Sequence, residues 1–89
     1  VIRLDLTLVN RLGLHARAAS KLVQTASAWE SEVFVEFNGR RVNAKSIMGV
    51  LLLAAPCGSE LLVEVAGPDE AQAADALTAL VEGRFGESE

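Results

Sequence analysis

Cysteine, histidine, methionine and tryptophan each occur once in the 89 residues, proline twice and tyrosine not at all. The lone Cys57 excludes an internal disulfide and suits a reducing compartment. One Cys and one His cannot complete a zinc site on their own, so no metal and no other cofactor is expected. No apolar run approaches the ~20 residues of a membrane span; the longest, Val50–Pro56, has seven. Nothing resembles a basic segment followed by an apolar one, so no signal peptide is expected and the chain reads as cytoplasmic. With Val1 in first place, an initiator methionine is expected to have been removed or the chain trimmed. Aromatics are scarce, three Phe and one Trp, so the core must be built mainly from Val, Leu, Ile and Ala. The length suits one domain, residues 1–89, and a domain of this size buries only roughly 60–65% of its unfolded surface. Its packing has to be efficient.

Basic charge is also in deficit, with 8 Lys and Arg against 12 Asp and Glu, a net −4. The halves differ. Residues 1–48 carry seven basic side chains and four acids, +3, whereas residues 49–89 carry Arg84 against eight acids, −7. A polyanion binder shows a denser basic stripe and a higher pI than 4.9. Nucleic acid is therefore not an expected partner. The positive first half is still suited to one anion or to an acidic partner face.

What is present is strong periodicity. Ile2, Leu4, Leu6 and Leu8 alternate with Arg3, Asp5 and Thr7, the mark of a half-buried strand. Asn10–Gly13 reads as a turn in which Gly13 can take positive φ. From Ala16 to about Ala28 the period becomes helical, with Ala19, Leu22, Val23 and Ala26 on one face and Arg17, Ser20, Lys21 and Gln24 on another. Glu32–Phe37 alternates again. Asn38-Gly39 before Arg40–Asn43 is a hairpin signal, since both central residues of a type I′ turn need positive φ. Ile47–Ala55 lacks β-branched residues after Val50 and follows Ser46, a suitable N-cap, so it is expected as a short helix ended by Pro56. Glu60–Ala66 alternates with Leu61, Val63 and Val65 inward. Gly67-Pro68-Asp69-Glu70 starts a last helix, with Ala73, Ala76, Leu77 and Leu80 inward and Gly83 and Gly86 closing it. Glu87–Glu89 reads as a frayed tail. The order β-α-β-β-α-β-α specifies a two-layer α+β fold, helices on one face of the sheet and the other face wet.

The segment that carries chemistry is Gly13-Leu14-His15-Ala16-Arg17-Ala18-Ala19-Ser20. It sets the only imidazole at a helix start, where free N–H groups and the dipole favour an anion. Arg17, two residues on, offers several fixed donors and a permanent charge. A unit charge pair about 5 Å apart at an effective dielectric of about 20 is worth roughly 3 kcal/mol before solvent screening. That favours a phosphoryl group held on the ring yet lets it react onward. By spacing alone, His15 reads equally as a helix cap.

Gly-Leu-His-Ala-Arg-Ala-Ala at 13–19, followed by Asn43-Ala44-Lys45-Ser46-Ile47-Met48-Gly49-Val50, closely resembles the HPr family of histidine-containing phosphocarrier proteins. Nearly the whole chain fits, to the Val81-Glu82-Gly83-Arg84-Phe85 ending. The resemblance implies an open-faced β-sandwich, a four-stranded antiparallel sheet under three helices. It implies that His15 accepts a phosphoryl group on Nδ1 from phosphorylated Enzyme I, itself charged by phosphoenolpyruvate, and passes it to an EIIA-type domain of a sugar permease or a regulatory counterpart. Arg17 would contact the phosphate. Some members are also phosphorylated at the residue matching Ser46 by an HPr kinase/phosphorylase, which slows transfer. Ala18 stands where many members have Pro, Leu12 where a small polar residue is frequent, and Pro56-Cys57 where a Gly-plus-polar pair faces the site. These departures bear on the choice of partner. The Ala-Arg-Ala-Ala form and the ending resemble proteobacterial members, including the nitrogen-related branch called NPr.

Other readings stand beside these. Ser46 is also simply a helix cap. An exposed Ile47–Met48 patch beside Arg17 and Lys21 would form an apolar docking spot with a basic rim, and Ser20, Lys21, Gln24, Ile47, Met48 and Leu51 are its candidate docking residues. Cys57 reads as a passive loop residue, Trp29 as packing, and Arg40 and Arg41 as solvated. A regulatory interaction domain of the same fold is the main alternative to a carrier, and an anion-binding regulatory domain a weaker one. An enzyme fits least, since one His offers no acid/base pair in a closed cleft. A monomer is expected.

Overall fold

The computed structural model covers residues 1–89 and holds four strands and three helices. In chain order they are β1 (Ile2–Thr7), α1 (Ala16–Ser27), β2 (Glu32–Phe37), β3 (Arg40–Asn43), α2 (Ile47–Leu53), β4 (Glu60–Ala66) and α3 (Glu70–Glu82), with a 3₁₀ turn at Arg84–Gly86. The sheet is antiparallel throughout, ordered β1-β4-β2-β3. Its register explains the alternation: Ile2 pairs with Val65 and Val65 with Val33, while Leu4 pairs with Val63 and Val63 with Val35. Leu6, Val33, Val35, Leu61, Val63 and Val65 thus share the face that α1 and α3 cover, and all six are buried. This is the open-faced α+β sandwich expected. The hairpin is also as expected, with φ 55° at Asn38 and 81° at Gly39.

The other face of the sheet is not simply wet. Arg41 was expected to be solvated, but its guanidinium lies 4.4 Å from the Phe34 ring centroid and donates to Glu64 at 2.6 Å. Arg3 donates to the other oxygen of Glu64 at 2.9 Å. The two guanidiniums, Arg41 first, hold the Glu64 carboxyl below the usual carboxylate range. Arg40 is likewise engaged, through Nη1 to the Leu52 carbonyl at 3.2 Å. A partner on β4 accounts for the first correction and a carbonyl of α2 for the second, and neither is visible to periodicity along one strand.

Helix ends depart from expectation in three places. α2 stops at Leu53 rather than Ala55, because Ala54 turns left-handed at φ 49° and the Ala55 carbonyl is taken by the Leu14 N–H at 2.8 Å. Pro56, three residues on, lies just beyond that end. α3 begins at Glu70, and Asp69 bonds not its own helix but the N–H groups of Glu30 and Ser31 and the Ser31 hydroxyl. Those bonds, the Ser31 hydroxyl first, hold the Asp69 carboxyl below its ordinary range. Along α3 the fully buried positions are Ala73, Ala74, Leu77 and Val81, with Ala76 and Leu80 only partly covered. Its alanine-rich sequence blurs the stripe.

Gly13 fixes the approach to α1. Its φ is 66°, and a Cβ there would fall 2.5 Å from the Ala55 carbonyl oxygen. Gly13→Ala combines a left-handed backbone penalty with that clash and is expected to cost about 1–3 kcal/mol. Urea unfolding of the two proteins checks it; equal midpoints would mean the loop shifts freely.

Candidate functional site

The turn that Gly13 permits delivers His15 to the N-cap of α1. Its backbone is extended there, its carbonyl accepts from the Ala19 N–H at 2.8 Å, and its Nδ1 accepts from the Arg17 N–H at 3.3 Å. The first helical N–H groups, those of Ala16, Arg17 and Ala18, have no acceptor one turn back. Of these, the Arg17 N–H reaches the ring nitrogen. The Arg17 side chain is exposed and free of any intramolecular ion pair, so it can turn to an incoming anion.

The second ring nitrogen is occupied. Nε2 donates to Glu87 Oε2 at 2.6 Å. The tail expected to fray is held in place instead, and the surroundings of the ring are not purely cationic. Asn10, fully buried, donates through its amide to the Gly13 carbonyl at 2.7 Å and to Glu87 Oε1 at 3.1 Å. Both partners only accept, which fixes which way the Asn10 amide faces and leaves its Oδ1 buried without a donor. Arg11 ties the end down twice, N–H to the Glu89 carbonyl at 2.8 Å and Nη1 to Glu89 Oε2 at 2.7 Å. The hydrogen bond from His15, with smaller help from Asn10 and Lys21, holds the Glu87 carboxyl below the usual carboxylate range. An open depression of about 780 Å³ lies between the 11–17 segment and the 86–89 tail, with His15 and Arg17 in its lining.

The remaining residues singled out by sequence lie around this centre. Ser46 is exposed at the N-cap of α2, its Oγ accepting from the Gly49 N–H at 3.2 Å. α2 packs beside α1 and buries only Val50 and Leu53. Ile47, Met48 and Leu51 are therefore exposed, and Leu52, which the sequence reading left out of the patch, is 60% exposed. Ser20 and Gln24 lie on the uncovered side of α1. Lys21 is drawn the other way, its Nζ donating to the Phe85 carbonyl at 2.6 Å, so it braces the tail rather than standing free at the rim. Leu12, 65% exposed, borders the depression, and Cys57 is exposed in the α2–β4 loop. Sequence reasoning missed Glu87 and Asn10. An Asn in a turn just before the lone His was the one available signal.

The chemistry this geometry offers is a ring nitrogen with a lone pair, beside the free N–H end of a helix and open to solvent. Known proteins resemble this chain along nearly its whole length. The family described as "PTS HPr component phosphorylation site" matches residues 2–83. The phosphocarrier protein HPr of Cupriavidus necator is 54% identical over 89 residues, and that of Neisseria meningitidis 51% over 89 residues, both chains covered completely in each case. Among solved structures, HPr-C-His from Thermoanaerobacter tengcongensis superimposes with a TM-score of 0.95 at 40% identity over the whole of both chains. A phosphocarrier protein HPr from Bacillus anthracis gives 0.86 at 38% identity, covering 90% of this chain and 95% of that one. Sequence and fold agree: the chain belongs to the HPr family and is a phosphocarrier of the phosphotransferase system, not an enzyme.

Proposed function

We propose that residues 1–89 act as one carrier domain in which His15 Nδ1 takes a phosphoryl group from phosphorylated Enzyme I and gives it to an EIIA-type domain, in the cytoplasm and as a monomer. The observation that carries this reading is the pair of bonds on the ring. Nε2 faces a carboxylate that only accepts, and Nδ1 accepts from the Arg17 N–H, so the lone pair is on Nδ1. As Nδ1 bonds to phosphorus, the phosphorus–donor bond breaks and its electron pair stays with the donor. The Arg17 N–H and its neighbours then turn from the nitrogen to the phosphoryl oxygens, and the Arg17 guanidinium joins them. No cofactor enters. Incubation with phosphoenolpyruvate and Enzyme I, followed by intact mass, should show one acid-labile phosphate. Running the sugar-type and nitrogen-type Enzyme I side by side identifies the branch served, and the faster donor is its partner. No gain of phosphate from either would refute the carrier reading.

Arg17→Ala should still be phosphorylated, because the helix N–H groups remain, but more slowly and with weaker partner binding. Stopped transfer assays at several Enzyme I concentrations measure both; unchanged kinetics would show that the backbone alone holds the oxygens.

Docking is assigned to the apolar Ile47–Met48–Leu51 surface of α2 with Ser20 and Gln24 of α1 beside it. Ser46 at the head of α2 makes this surface addressable, by an HPr kinase/phosphorylase where one is present, which would give the domain a regulatory interaction role besides carriage. A phosphate there brings about −1.5 to −2 charges at pH 7. It would repel acidic partner groups and add a desolvation cost beside the apolar patch. Ser46→Asp, with one such charge, should stay within ~1 kcal/mol of the parent in stability. It should slow transfer to His15 several-fold, less so at high salt. A variant that melts normally and accepts phosphate at the parent rate leaves Ser46 as a cap only.

A further inference from the structure

The segment after α3 is built to hold one side chain. Phe85 is fully buried, and Arg84, Phe85 and Gly86 run in succession through left-handed backbone at φ 57°, 55° and 80°. Two consecutive non-glycine residues there persist only where the surroundings over-determine them. Those surroundings are visible: the Phe85 ring in the core, Lys21 on its carbonyl, and Arg11 on Glu89. The result brings Glu87, whose side chain is only 13% exposed, onto His15 from 72 residues away. Asn10 holds its other oxygen.

We propose that Glu87 is a positioning residue for phosphoryl transfer. Its carboxylate pins the ring proton on Nε2, keeps Nδ1 as the nucleophile, and balances the charge the ring acquires on phosphorylation. This rests on the reading of His15 as acceptor. A neutral imidazole exchanges its proton between two nitrogens, and only the tautomer with a bare Nδ1 can attack from that atom. A carboxylate hydrogen-bonded to the opposite N–H selects that tautomer and fixes the ring's orientation, as carboxylates do for histidines in other sites. When the Nδ1–phosphorus bond forms, the ring keeps its Nε2 proton and becomes cationic. The carboxylate at 2.6 Å then faces a positive charge. On onward transfer the bond breaks, its electron pair returns to Nδ1, and the neutral tautomer is restored without any proton leaving. The ring is thus reset for the next cycle.

The single histidine makes the test direct. In protein labelled with ¹⁵N at histidine, at a pH where the ring is neutral, the parent should show a protonated Nε2 and a bare Nδ1. In Glu87→Ala and Glu87→Gln the two signals should move toward each other as the tautomers mix. Single-turnover acceptance from phosphorylated Enzyme I should slow by roughly three- to tenfold in both variants, the scale of losing a group that orients an imidazole through its second nitrogen. Glu87→Asp, which keeps the carboxylate, should fall between them and the parent. Unchanged ring signals in Glu87→Ala overturn the proposal, as does a rate equal to the parent's. A faster rate would mean that the tail obstructs the site. Should the parent itself accept no phosphate while its ring signals still respond to Glu87, the His15 reading fails and takes the role of Glu87 in transfer with it.

Discussion

His15→Ala is expected to fold, to melt within about 2 kcal/mol of the parent, and to take up no acid-labile phosphate. The stability margin follows from what the side chain does structurally: it caps α1 through Nδ1, and losing a cap costs roughly 0.5–2 kcal/mol. The Glu87 carboxylate, freed from Nε2, lies at the edge of an open depression where water can reach it. The functional loss is complete because no second imidazole exists in the chain. Hydroxyls elsewhere do not substitute, since a phosphate ester on Ser20, Ser46 or Ser88 survives acid whereas a phosphoramidate on imidazole does not. Intact mass before and after acid treatment, with a melting curve, measures all three statements. Acid-labile phosphate on a folded His15→Ala protein would sink the assignment.

Phe85→Ala is expected to produce the largest loss of stability of any single side chain near the site. The ring is fully buried and belongs to the same core cluster as Leu22, Leu77 and Val81. Truncating such a phenylalanine costs about 3–5 kcal/mol, which in a domain of this length lowers Tm by more than about 10 °C. The loss should also reach the chemistry. Without the buried ring, the left-handed run at Arg84–Gly86 loses its anchor, and with it the placement of Glu87 on His15. Phe85→Leu, which refills much of the volume, should recover most of the stability. A Phe85→Ala protein within ~1 kcal/mol of the parent would show that the tail is not fastened by the core.

The sheet and α1 were legible because each satisfies a local rule repeated over several residues. Alternation in Ile2–Leu8 and Leu61–Val65 survives into the register, and the Asn38-Gly39 turn needs nothing beyond its own two residues. His15 could be placed at a helix start for the same reason. What escaped was decided by partners far off in sequence. Glu87 follows a glycine in a polar stretch with no period, and its order comes from Asn10, Arg11 and His15. Arg84 and Phe85 take positive φ without being glycines, so no residue type announced the turn. Ala54 does the same at the end of α2, where the Ala55 carbonyl turns to the Leu14 N–H. Arg41 looked like a loop charge until β4 brought Glu64 across from it. Local pattern thus places His15 at the helix start, and only the folded chain reveals the carboxylate behind it.

The central claim is that the phosphoryl group sits on Nδ1 of His15. Its most direct test is nuclear magnetic resonance on the chain labelled with ¹⁵N at histidine and phosphorylated by Enzyme I and phosphoenolpyruvate. Phosphorus coupling should appear on one ring nitrogen, Nδ1, while Nε2 remains protonated. Phosphorus on Nε2, or an incorporated phosphate that couples to neither nitrogen, would contradict the account.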